Sequence, residues 1–345
     1  MMSKHIDLRV VEGRRRLMLA SASLPALAWA GAGALINPYL SLAQAQQKVW
    51  RIGFLSSESA AGLRTRVEAL RAGLRDVGYV EGKNLVVEFR WAEGKDARLP
   101  ELAAELVRLN IDVLVTHAQG VRAAKQTTTT IPIVMAASSD PVALGLVASL
   151  ARPGGNITGS TFFPMELAAK RIELLKDAFP RITQVAVLVD LGSTVRSTDL
   201  QAMETAARSL KVTLHEFGVR GPHEFESAFA AMVKKRIGAV AVMEQPMFLV
   251  NAKAIADLAA KQRLPLIGNG EVAEAGGLIG YGANLIDLWH RAAYFVDRIF
   301  KGAKPGDLPI EQPTRFEFVV NLKTAKALGI TLPQVIMVRA NKVIE

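Results

Sequence analysis

The sequence predicts an α/β protein made of two parallel-sheet lobes in tandem, with a cleft between them. Three observations carry this. From Val49 onward, short runs rich in Val, Ile and Leu alternate with stretches whose apolar residues recur every three or four positions. That β-α-β rhythm builds a parallel sheet with helices on both faces. The rhythm is interrupted at Pro153-Gly154-Gly155 and then begins again, so there are two such units rather than one. At 345 residues the chain is long enough for two cores. It contains no Cys, which excludes disulfides, thiolate metal sites, a Cys nucleophile and a lipid-modified Cys.

The N-terminal stretch comes first in order. Arg14-Arg15-Arg16 is followed by an almost uncharged run from Leu17 to Ile36 and then by Ala43-Gln44-Ala45. A basic segment, an apolar segment and an Ala-x-Ala site make an export signal over residues 1–45. The paired arginines before Leu17-Met18-Leu19 resemble a twin-arginine signal, although Gly13 stands where Ser or Thr is usual. Cleavage after Ala45 would release a soluble protein beginning at Gln46.

In the first unit, Val49–Leu55 reads as a buried strand. Leu63, Val67, Leu70, Leu74 and Val77 form one face of a helix that Gly78 stops. Leu85–Trp91 is strand-like, and Leu99, Leu102, Leu106 and Leu109 mark the next helix, with Pro100 in its first turn. Strands follow at 111–116, 131–135 and 156–159, separated by helices near 121–126 and 142–150. The second unit repeats the scheme. Helices at 165–178, 198–210, 224–235 and 251–262 alternate with strands at 185–189, 212–217, 238–243, 265–268 and 278–281. A long helix near 285–301 follows, then a Pro/Gly loop, a strand near 316–320 and a helix near 322–328. The expected division is 48–159 with 285–305 for lobe 1, and 160–284 with 306–345 for lobe 2.

The formal charge is +10, but the basic residues are dispersed. The densest run, Lys234-Lys235-Arg236, follows a helical pattern, where cations complement the helix dipole. No basic stripe is interleaved with aromatics, so nucleic acid is not an expected partner. There is no His-Glu-x-x-His, no Walker A run and no Gly-x-Ser-x-Gly elbow. Ser193-Thr194 has no neighbouring base. No catalytic residue, metal or cofactor is expected.

Ligands of open parallel sheets bind beyond the carboxyl ends of the strands, where the strand order reverses. In the first unit that rule selects Ser56, Ser57 and Glu58, then Thr116, His117, Ala118 and Gln119, then Ser138, Ser139 and Asp140. In the second it selects Asp190–Thr194, Glu244-Gln245-Pro246 and Gly268-Asn269-Gly270-Glu271, with Ser193, Thr194, Gln245, Asn269 and Glu271 the candidate contacts. Each lies in a short polar run after an apolar strand, and several precede helices whose N–H groups can take a carboxylate. Asp140 and Glu271 are the candidates for an ammonium group. Asp140-Pro141 also has a purely local use in starting the segment that follows. Phe54, Phe162, Phe163, Met243, Met247, Phe248 and Tyr281 are candidate apolar walls.

Three blocks carry a resemblance. They are Gly78-Tyr79-Val80-Glu81-Gly82-Lys83-Asn84-Leu85 with Arg90-Trp91-Ala92-Glu93-Gly94; Asp140-Pro141-Val142 with the run from Gly145-Leu146-Val147 to Asn156-Ile157-Thr158-Gly159; and Glu274-Ala275-Gly276-Gly277-Leu278 with Tyr281-Gly282. Over residues 48–335 the chain resembles the ABC transporter substrate-binding proteins that include tryptophan- and tyrosine-binding members. The resemblance implies a type I periplasmic-binding-protein fold: two Rossmann-like lobes joined by a hinge, closing on a solute. It implies a monomeric periplasmic receptor that delivers an amino acid or an aromatic or carboxylate compound to an inner-membrane ABC permease. A sensor of the same fold, not coupled to transport, is the alternative. Thr116-His117-Ala118-Gln119 and Ser138-Ser139 depart from the family's usual small residues and Gly, so aromatic amino acid specificity does not carry over.

Overall fold

The structure is a computed structural model, and it describes residues 48–162, 164–192 and 196–345. The export signal read over 1–45 lies outside the described residues, as do Phe163, Ser193 and Thr194. Among the described residues, no helix is long and apolar enough to cross a membrane.

The first sheet has five parallel strands in the order β2-β1-β3-β4-β5: β1 Trp50–Ser56, β2 Leu85–Trp91, β3 Val113–Thr116, β4 Ile133–Ser138 and β5 Ile157–Thr161. Its connections are α1 (Arg64–Asp76), α2 (Leu99–Arg108) and α3 (Gln119–Thr127). One face carries Ile52, Phe54, Val113, Val115 and Val134, covered by Val67, Leu70 and Leu74 of α1. The other carries Leu55, Leu114, Ile133 and Met135, covered by Leu102 and Leu106 of α2 and by Val121 of α3. The period-two strands and the three- and four-residue helix spacing thus meet in one layered core.

The sequence expectation fails at 142–150. No helix forms there; the segment runs in turns. Asp140 accounts for part of this, because its Oδ1 accepts from the N–H groups of Val142 (2.9 Å) and Ala143 (3.1 Å), an Asx turn. Gly145 then takes φ +64°, which ends helical continuation.

The second sheet contains β6 (Gln184–Asp190), β7 (Thr213–Val219), β8 (Ala239–Val242), β9 (Leu266–Gly268), β10 (Ile279–Ala283), β11 (Phe316–Asn321) and β12 (Lys342–Ile344). Their order is β12-β11-β10-β9-β8-β6-β7. The part β7-β6-β8-β9-β10 repeats the first sheet's order. Contrary to the five-stranded reading, two strands extend it, and β11 runs antiparallel to β10. Its helices are α4 (Pro164–Ala178), α5 (Arg196–Ser209), α6 (Phe225–Lys234), α7 (Pro246–Val250), α8 (Ala252–Lys261) and the short α9 (Gly270–Glu274). α7 and α9 were not foreseen.

α10 (Leu285–Phe300) leaves β10 but packs on the first sheet through Trp289, Ala292, Ala293 and Val296. It lies so close to α1 that a Cβ on Gly73 would stand 2.3 Å from the His290 carbonyl oxygen. The chain then runs along β5: Ile310 N–H donates to Leu150 O, and Thr161 N–H donates to Glu311 O. It therefore stays with the first sheet through Glu311, later than the boundary at 305 read from the sequence. β11, α11 (Leu322–Leu328), α12 (Gln334–Arg339) and β12 complete the second lobe.

Candidate functional site

The carboxyl ends of both sheets converge on a cavity of about 280 Å³. The first lobe supplies Arg66 of α1, His117 and Ala118 after β3, Gln119 and Ala123 of α3, and Ser138 at the end of β4. The second supplies Glu244, Gln245 and Pro246 after β8, with Gly192 after β6. Leu285 and Trp289 of α10 also line it, as do Leu99, Leu144, Leu146 and Phe162, so most of its wall is apolar. A wider, more open hollow of about 820 Å³ shares Asp96, Gln119, Gly192 and Pro246 with it and adds Ser57, Asp190 and Arg220.

Two buried clusters of charge stand at this cavity. In the first, Glu58 follows β1. The Ser56 hydroxyl donates to Glu58 Oε2 (2.6 Å), the Ser57 hydroxyl donates to Oε1 (2.8 Å), and His117 Nε2 lies 3.1 Å from Oε2. With the Ser56 hydrogen on Glu58, the geometry calls for the imidazole hydrogen on Nε2. The ring rests against Trp289 at 4.9 Å between centroids. Burial opposes the Glu58 charge, but the His117 charge and hydrogen bonds from His117, Ser56 and Ser57 outweigh it and lower its pKa to about 2. This Ser–His–Glu grouping is no nucleophile relay, because the Ser56 hydroxyl donates to the carboxylate and is fully buried.

The second cluster is unfinished. Arg171 of α4 donates from Nη2 to Glu244 Oε1 (2.7 Å) and from Nε to the Tyr281 carbonyl (2.8 Å). Both side chains are almost wholly buried, and a Cβ on Gly282 would approach Glu244 Oε1 to 2.8 Å. Glu244 Oε2 has no hydrogen-bond partner among the described residues. Across the cleft, Arg66 Nη2 donates to Glu271 Oε2 of α9, while Arg66 Nε and Glu271 Oε1 have none. Burial raises the Glu244 pKa; Arg171 opposes this, the nearby Glu271 charge adds to it, and Arg66 opposes it too. Gln119 Oε1, Ser138 Oγ and Gln245 Nε2 are likewise buried and unpartnered, and all three residues line the cavity. Buried polar groups are nearly always hydrogen-bonded, to protein or to water, so this concentration marks the cavity as a place where solvent or a ligand supplies the partners.

Of the residues selected from the sequence, His117, Ala118, Ser138 and Gln245 line the cavity, and Ser57 lines the outer hollow. Ser56 lies beneath, bonded to Glu58. Thr116 turns away and donates to the Leu55 carbonyl (2.9 Å). Asn269 caps α9, accepting from Val272 N–H (3.1 Å). Asp140 is taken up by its Asx turn, and Glu271 by Arg66; neither lines the cavity. Ser193 and Thr194 lie outside the described residues. Of the candidate walls, Phe162 lines the cavity and Met247 the hollow, whereas Phe54, Met243 and Phe248 are core residues. Tyr281 packs against Phe316 and Phe318.

Arg66 and Trp289 were missed; Glu244 lies in the strand-end run selected with Gln245 and Pro246, but was not singled out as a ligand contact. Arg66 had a signal: it falls three residues after Leu63 and four before Leu70, inside the apolar face of its helix, where a charge needs a reason.

The sequence profile described as "ABC transporter substrate binding protein" matches residues 52–344. The chain belongs to that family. It is 26% identical over 260 residues to a protein named "Tyrosine-binding protein" from Clostridioides difficile (strain R20291), covering 74% of each chain. Among solved structures, an ABC domain in complex with L-Trp from Streptococcus pneumonia superposes with a TM-score of 0.76 at 26% identity. That match covers 85% of this chain and all (100%) of the other. A conserved domain protein from Vibrio cholerae gives a TM-score of 0.79 at 26% identity, covering 86% and 100%. The two lobes are those of a type I periplasmic-binding protein, and the relatives are substrate-binding proteins rather than enzymes.

Proposed function

We propose that this substrate-binding protein is the exported receptor of an ABC importer and that it captures a zwitterionic amino acid in the inter-lobe cavity for a membrane permease. The observation that carries the reading is the unfinished charge cluster. A cation, Arg66, and an anion, Glu244, line one cavity, and each has a buried polar atom without a partner among the described residues. A solute carboxylate completes Arg66 together with Ser138, Gln245 Nε2 and the N–H groups opening α3. A solute ammonium completes Glu244. The apolar remainder of the wall suits an apolar side chain. A relative named for tyrosine and another in complex with L-Trp support an amino acid ligand.

Ligand and closure are linked, because Arg66 belongs to the first lobe and its partner Glu271 to the second. A solute that engages Arg66 stabilises the closed arrangement in which that ion pair exists. Export is supported by the basic, apolar and Ala-x-Ala order of residues 14–45. N-terminal sequencing from the native host should begin near Gln46; an intact Met1 on membrane-bound material would refute it.

A thermal-shift screen of amino acids, aromatic acids, small carboxylates and sugars tests the ligand class. A solute at a hundred times its Kd stabilises the protein by about 2.7 kcal/mol, so a true ligand shifts Tm visibly. Apolar amino acids should do so. A screen in which only sugars or only des-amino acids shift Tm would contradict the reading.

A further inference from the structure

Part of the cavity's lining is apolar: Leu99 and Pro100 from the start of α2, Ala123 of α3, and Leu144 and Leu146 from the turns after β4. All of these but Pro100 belong to one packed cluster, and Asp96, Arg122 and Gln126 line the same cavity. Those turns lack the regularity of a helix. Within them, Leu146 N–H donates to the Pro141 carbonyl (2.8 Å), and Asp140 holds Val142 and Ala143. Among the described residues, Lys125 alone brings hydrogen bonds to 142–147 from outside the loop. Its Nζ donates to the carbonyls of Gly145 (2.7 Å) and Leu146 (2.9 Å). Both are charge-assisted bonds, and Gly145 presents its carbonyl from a left-handed conformation that favours glycine. Lys125 is not a lining residue. It sits on the same helix as Ala123, so one side chain ties α3 to the loop that carries Leu144 and Leu146.

We propose that Lys125 is a specificity-setting residue: by tying the 144–146 wall to α3 it sets the gauge of the apolar lining that takes the solute's side chain. That lining rewards side-chain length while Arg66 and Glu244 recognise the zwitterion, so this inference rests on the amino acid reading. A loosened wall would follow a small side chain as well as before, but would lose close packing around a long one.

Calorimetric titration with two parallel series tests it: alanine, norvaline and norleucine, and their des-amino counterparts propanoate, pentanoate and hexanoate. Affinity for the amino acids should climb about fourfold per methylene in the wild type, the value of a buried CH₂. In Lys125→Met, which keeps an apolar stem, the increment should fall below about twofold while alanine binds as before. Lys125→Arg should keep the wild-type increment. Amide hydrogen exchange at 143–147 should quicken in ligand-free Lys125→Met while that of α3 stays as in the wild type. An unchanged increment in Lys125→Met overturns the proposal, as does an equal loss for alanine and norleucine or a wild-type affinity indifferent to length. Failure of the amino acid reading looks different: the des-amino acids then bind as tightly as the amino acids, with the length dependence still present in both series. If no member of either series binds the wild type, both readings fall.

Discussion

Glu58 and Glu244 are both buried carboxylates at the end of a strand, one in each lobe, and the protein treats them oppositely. Glu58 has both oxygens occupied by Ser56, Ser57 and His117, and its carboxyl is held down at about 2. Glu244 has one oxygen on Arg171 and the other without a partner among the described residues, and burial raises its pKa. A finished cluster fixes the local structure: the Glu58 group holds the turn after β1 against the His117 ring and Trp289. An unfinished one keeps a polar atom in reserve. Burial alone does not separate the two roles; the count of satisfied oxygens does.

The largest effect that could break this contrast concerns Arg171. Arg171→Met leaves Glu244 buried without its ion-pair partner and should lower the unfolding free energy by about 3–5 kcal/mol. Adding Glu244→Gln to the same chain should recover most of the loss. Urea denaturation measures both, and an undiminished Arg171→Met would show that Glu244 does not depend on its partner.

The two carboxylates should also give opposite pH dependence. The Glu58 pKa lies below its ordinary value, so its contribution is present above about 4.5 and is lost as the pH falls toward about 2. One pKa unit corresponds to about 1.4 kcal/mol, which puts that contribution on the order of 3 kcal/mol. Glu58→Gln should flatten the acid limb of stability against pH. Glu244 is raised; its carboxyl favours the folded state most below the ordinary range, and that benefit declines as the pH rises through its native pKa. Glu244→Gln should remove a decline rather than a gain. A smaller effect follows in binding. A solute ammonium favours ionised Glu244, so binding should release protons as the pH drops into the range where Glu244 takes one up. Calorimetry in buffers of different ionisation enthalpy reads this, and Glu244→Gln should abolish it.

The smallest expected effect is at Asp140. Its Oδ1 caps the turn at Val142 and Ala143, and Asn retains that acceptor. Asp140→Asn should leave solute affinity unchanged within about twofold, which is under ~0.5 kcal/mol. A tenfold loss would restore Asp140 to the site.

The strands and their carboxyl ends were legible because apolar runs and polar terminations are local patterns, and the switch-point rule turns them into a place. His117, Ser138 and Gln245 were found that way. Glu244 lay in the same run as Gln245, but nothing local distinguishes a carboxylate with one free oxygen. Arg66 and Trp289 come from the interiors of helices, and reach the cavity because α1 and α10 pack together, joining partners such as Asp76 and His290 that stand 214 residues apart in the chain. The missing helix at 142–150 was a failure of period. Val142, Leu146 and Leu150 have helical spacing, but the Asx turn at Asp140 and the left-handed Gly145 override it.

The central claim is that the free oxygen of Glu244 reads an ammonium group. The direct measurement is the ratio of norleucine to hexanoate affinity, by calorimetry, in the wild type and in Glu244→Gln. A charged hydrogen bond contributes roughly 1.5–3 kcal/mol, so the wild type should prefer norleucine by at least about tenfold. Glu244→Gln should bring the ratio close to one. A Glu244→Gln protein that keeps the wild-type preference would contradict the account.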